Sequence, residues 1–95
     1  MDSRTSKVLR SIISALDANS PSVWVIMVVG TGDYTWYQTI VELPQYIPGE
    51  ELEQEAAKVI KSQLQKHNID PYFIKMKTFT YNNKLLNHLL KTRAS

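Results

Sequence analysis

The sequence predicts a single small α+β domain spanning residues 1–95, and three observations carry that expectation. The chain has 95 residues, one domain's length. Three segments repeat apolar residues at the three- and four-residue spacing of amphipathic helices. Three others are β-branched and aromatic, either apolar throughout or alternating every second residue, as strands are. Hydrophobic residues make up 43% of the chain, with only 3 Gly and 4 Pro, so there is enough apolar material for a core and no low-complexity stretch.

The first helix is expected over residues 3–18, where Val8, Leu9, Ile12, Ile13 and Leu16 form one stripe and Asn19-Ser20-Pro21 ends it. Val23 to Val29 is apolar on both faces and reads as a central strand. Gly30-Thr31-Gly32-Asp33 suits a turn, with the glycines supplying conformational freedom. Residues 35–43 then alternate. Tyr37, Thr39, Val41 and Leu43 point one way and Trp36, Gln38, Ile40 and Glu42 the other, which makes a hairpin with a half-exposed second strand.

A second helix is expected over residues 50–67, with acids in its first turns, lysines toward its end, and Leu52, Ala56, Val59, Ile60 and Leu64 as its core stripe. Asn68 suits a left-handed C-cap, and Pro71 blocks continuation. A third strand follows over residues 72–80. Asn82 or Asn83 is placed to cap a last helix carrying Leu85, Leu86, Leu89 and Leu90.

The order α-β-β-α-β-α, with the most apolar strand in the middle, predicts an antiparallel three-stranded sheet of order 2-1-3 packed with helices. That sandwich is comparable in architecture to a ferredoxin-like unit lacking its first strand. If the first two helices cover one sheet face, Trp24, Ile26 and Val28 on the other still need a cover. The last helix with its four leucines supplies one solution. A second copy supplies the other, which makes these residues with Leu85, Leu86, Leu89 and Leu90 the candidate interface of a homodimer.

Composition excludes several chemistries. Without cysteine there are no disulfides, thiolate metal sites or thiol nucleophiles, which fits a cytoplasmic setting. The longest apolar run, Val23 to Val29, falls far short of the ~20 residues that cross a bilayer, so no membrane partner is expected. His67 and His88 are isolated, and the Glu50, Glu51, Glu53 and Glu55 carboxylates fan around a helix, so neither group converges on a metal or cofactor. Gly30-x-Gly32 precedes a strand, not the helix that a phosphate cradle needs, and no nucleophile elbow is present. A non-enzymatic protein with no cofactor is therefore expected. A small hydrolase or isomerase would require His67 or His88 beside a carboxylate in a pocket.

Two surfaces stand out as binding candidates. Tyr34, Trp36, Tyr37 and Tyr46 cluster around the hairpin and the following loop, a composition typical of protein–protein contacts, and a protein partner is the leading expectation. Phe73, Lys75, Lys77, Phe79 and Tyr81 alternate with period two, as if rings and cations shared one strand face for single-stranded nucleic acid or RNA. Lys84, Lys91 and Arg93 would extend that basic surface. Residues 32–57 hold six acids and no Lys or Arg, while residues 71–95 hold five bases and no acid, within a net charge of +2; either folding brings the halves together so that the field largely cancels, or the basic third faces an anionic partner.

Overall fold

The computed structural model describes residues 3–82, so the expected last helix, with Lys84, Leu85, Leu86, His88, Leu89, Leu90, Lys91 and Arg93, lies outside the described residues. Within them the chain runs α1 (Ser3–Ser14), β1 (Ser22–Gly30), β2 (Trp36–Leu43), α2 (Glu50–Gln65) and β3 (Phe73–Asn82). The three strands form one sheet of order β2-β1-β3, with β1 antiparallel to both neighbours. This is the small α+β fold that the patterning predicts.

Side-chain alternation along β1 explains the layering. Val23, Val25, Met27 and Val29 point to one face and are fully buried. Thr39, Val41 and Leu43 of β2, Val8 and Leu9 of α1, and Leu52, Ala56, Ile60 and Leu64 of α2 complete that core. Both helices thus lie on the same face, and α1 is fastened to β2 where the buried Thr39 hydroxyl donates to the Leu9 carbonyl at 3.3 Å. On the opposite face Trp24, Ile26, Val28 and Ile40 are half-buried, and no helix among the described residues covers them.

Several boundaries differ from expectation for local reasons. Helix α1 ends at Ser14, four residues early. Its last turn tightens as the Ala15 and Leu16 amides donate to Ile12 and Ile13, and the Asp17 carboxylate then accepts from the Asn19 amide at 2.9 Å to start a turn. Helix α2 stops at Gln65, and Asn68 takes the expected left-handed conformation at φ 57°. There the Ile69 amide donates back to Leu64 and the Ile69 side chain is buried, which closes the helix with a hydrophobic contact. Strand β3 runs on to Asn82, whose side chain is buried and donates to the Asp17 carbonyl; the expected cap at Asn82 or Asn83 concerns a helix outside the described residues.

The expected glycine-driven turn is corrected by backbone geometry. The left-handed residue of the hairpin is Tyr34, at φ 64°, and neither Gly30 nor Gly32 takes positive φ. Gly30 lies at the end of β1, opposite Trp36 on one side and Phe73 on the other.

Candidate aromatic binding site

Two connections meet at the Gly30 end of the sheet, and each brings aromatic rings there. The β1–β2 turn carries Tyr34, and β2 opens with Trp36. The α2–β3 connection carries Tyr72 and leads into Phe73. A hydrogen bond from the Tyr72 amide to the Gly30 carbonyl, at 2.7 Å, joins the second connection to the end of β1. Phe73 lies over Gly30, and the Trp36 and Phe73 rings meet edge to face, with centroids 5.5 Å apart and planes at 89°.

These rings are mostly in solvent. Tyr34 is 92% exposed, Tyr72 81% and Trp36 71%. With Thr31, Gly32 and Phe73 they line a hollow of about 210 Å³. Lys75 places its ammonium 5.9 Å from the centre of the Phe73 ring, so one cation borders the cradle.

The turn beneath Tyr34 is organised by Asp33. Its carboxylate accepts the Thr31 hydroxyl and, at 3.2 Å, the Thr35 amide, while the Thr31 amide donates to the Thr35 carbonyl and the Tyr34 amide to Thr31. The Thr31 hydroxyl first, and then the side chain and amide of Thr35, hold the Asp33 carboxyl below its ordinary value. The carboxylate therefore stays ionised and keeps the turn closed on a left-handed tyrosine.

The residues expected from sequence are redistributed by the fold. Tyr34 and Trp36 come together. Tyr37 instead packs, half-buried, against the core on the helical face. Tyr46 sits at the other end of the sheet, where its ring meets Phe79 at 5.3 Å and Tyr81 at 6.1 Å. The four tyrosine and tryptophan residues are thus not one patch.

A break in β3 likewise divides the expected basic–aromatic stripe. The register against β1 shifts between Ile26 and Met27, so that Met76 pairs with Met27 and Thr78 with Ile26, leaving Lys77 as the extra residue of a bulge. Before the bulge, Phe73 and Lys75 share the uncovered face with Val28. Beyond it, Phe79 and Tyr81 are opposite Val25 and Val23, on the helical face. Period-two counting cannot see such an insertion.

The sequence does not single out Tyr72 as a site residue, and it places Phe73 on the basic–aromatic stripe of the third strand. One available signal is their position, directly after Pro71 and at the mouth of a strand beside the hairpin turn.

The remaining chemistry is sparse. His67 is exposed just past the end of α2, and the described residues gather no group of three or more His, Asp or Glu able to hold a metal ion. Among the acids of α2, Glu53 accepts the Met76 amide at 2.6 Å and Glu55 pairs with Lys58 at 3.0 Å, so both serve the fold. A second hollow of about 260 Å³ between α1, α2 and β2 is lined chiefly by Ile12, Leu16, Val41 and Val59. Its acid, Glu42, accepts from the Trp24 indole at 3.0 Å and the Asp17 amide at 3.1 Å. No helix of the described residues is long and apolar enough to cross a membrane. Searches against protein-family models, curated proteins and solved structures find no match to this chain.

Proposed function

We propose that this chain is a non-enzymatic binding module that holds a partner protein in the aromatic cradle of Tyr34, Trp36, Tyr72 and Phe73. The observation that carries this reading is Tyr34. A non-glycine residue in the left-handed region costs roughly 1–2 kcal/mol, and an aromatic side chain there gains nothing back by burial when it is 92% exposed. Glycine or asparagine would close the same turn more stably. Strain of this kind, held under an exposed ring, marks sites of contact with other molecules.

Aromatic rings of this size contribute large contact area at low entropic cost, and Tyr and Trp are enriched among the residues that dominate protein interfaces. The cysteine-free sequence suits a cytoplasmic setting for such a module. Nucleic-acid binding is the weaker reading, because the bulge at Lys77 leaves only Phe73 and Lys75 adjacent on the uncovered face.

The test uses the whole chain as bait in native lysate, with and without nuclease, beside Trp36→Ala/Tyr72→Ala and Tyr34→Gly variants. Expected is a protein captured by the natural chain in both conditions. The double variant should lose it, with at least a tenfold weaker Kd once the captured protein is purified. Tyr34→Gly should bind more weakly while unfolding at higher urea. Capture that disappears with nuclease transfers the reading to nucleic acid, and equal capture by all three chains removes the cradle from the function.

A further inference from the structure

The two edges of the sheet are built differently, and the difference has a consequence for assembly. An edge strand offers main-chain donors and acceptors to any other strand, and proteins guard such edges with bulges, charges and covering side chains. Strand β3 carries all three guards. The bulge at Lys77 interrupts its regular geometry, Lys75 and Lys77 are exposed along it, and Glu53 reaches from α2 to take the Met76 amide at 2.6 Å.

Among the described residues strand β2 has no bulge and no exposed lysine along it. Its eight residues, Trp36 to Leu43, pair with β1 in unbroken register and contain no proline, lysine or arginine. Its one charge, Glu42, is engaged by the Trp24 indole and the Asp17 amide instead of standing guard in solvent. Beyond β2 there is no further strand among the described residues.

We infer that the β2 edge is the contact for a second copy of this chain, paired antiparallel across a two-fold axis near the middle of β2 to give a six-stranded sheet. An antiparallel strand meeting its own copy is self-complementary by symmetry, as a two-fold interface requires. A pairing of this length provides on the order of eight main-chain hydrogen bonds. With the axis at Thr39, Gln38 of each copy lies opposite Ile40 of the other on the uncovered face, and no like charges oppose each other there. The half-buried strip of Ile26, Val28 and Ile40 then continues from one copy into the next. This inference does not depend on the cradle, which lies at the Gly30 end of each subunit and would be presented twice.

Sedimentation from 1 to 100 micromolar, with hydrogen exchange on the same samples, tests it. Expected is a dimer at tens of micromolar whose β2 amides gain protection as concentration rises. Ile40→Lys, which sets two ammoniums diagonally across the axis in place of an apolar contact, should sediment as a monomer with unchanged far-ultraviolet circular dichroism. Gln38→Lys, at an exposed position, serves the same purpose should Ile40→Lys fail to fold. Lys77→Glu on the guarded edge should leave the dimer intact. A natural chain that stays monomeric across the range overturns the inference. So does a dimer that survives both lysine variants with β2 exchange independent of concentration.

Discussion

At Gly30 the ring of Phe73 lies so close to the backbone that an added Cβ would stand 2.2 Å from its Cε1 atom. The glycine is required there for close approach, with the ring covering a backbone that has no side chain of its own. Trp36 then meets Phe73 at right angles, so one missing methyl group sets the positions of two cradle rings. Gly30→Ala is therefore expected to cost about 1–3 kcal/mol, because the ring must leave a packed position. Urea denaturation measures it. In a Phe73→Leu background the same change should cost clearly less, since the clashing ring is gone; an equal cost in both backgrounds would show that the ring is not the reason for the glycine. At this scale the sequence showed that Gly30 matters and assigned it the wrong task. A glycine that permits a positive φ and a glycine that admits a neighbouring ring look alike until the partner strand is in place.

At the scale of elements, the helices and strands were legible because their signals are local. Leu52, Ala56, Ile60 and Leu64 recur with helical spacing and are all buried, and the alternation of β2 places Thr39, Val41 and Leu43 in the core as the pattern requires. The bulge in β3 was not legible, because it arises from pairing with β1 and from Glu53 capturing the Met76 amide across 23 residues of sequence. That one insertion moved Phe79 and Tyr81 to the opposite face from Phe73 and Lys75. The hairpin turn makes its own prediction through Asp33, whose carboxyl titrates below its ordinary value of 3.8 because Thr31 and Thr35 donate to the ionised form. The folded turn thus binds the proton more weakly than the unfolded chain does. Its contribution is fully present above the ordinary value and is lost as pH falls through the lower, folded one. An acid titration followed by the amide resonances of Tyr34 and Thr35 should show both moving together below about pH 4. In Asp33→Asn that transition should be absent; its persistence there would assign it to another group.

Over the whole molecule, the end of the sheet away from Gly30 adds a buried polar tie to its Tyr46, Phe79 and Tyr81 rings, and that tie fastens the connection between α1 and β1 to the sheet. At the end opposite the cradle, the connection between α1 and β1 is tied to both edge strands. The Glu42 carboxylate of β2 accepts from the Trp24 indole and the Asp17 amide, and the Asn82 amide of β3 donates to the carbonyls of Asp17 at 2.8 Å and Ser20 at 2.9 Å. Asn82 is only 4% exposed, so these bonds replace water that does not reach the site. Nothing local in the sequence announces a contact across more than sixty residues, and Asn82 reads there as a helix cap. The fold class does not depend on that tie, because a sheet order depends on which strand is most apolar and not on how its ends are fastened. Asn82→Ala removes the donor and leaves two carbonyls facing a small apolar side chain, at an expected cost of about 1–3 kcal/mol. Asn82→Asp should cost more, since it brings a carboxylate against the same two acceptors. Hydrogen exchange separates this local tie from a general loss of stability. The amides of Val23 and Tyr81 should lose more protection than those of Val29 and Ile74 at the cradle end, because the damage starts where the connection is released. Uniform loss along β1 and β3 would mean that the sheet opens only as a unit, and unchanged exchange at Tyr81 would mean that Asn82 fastens nothing.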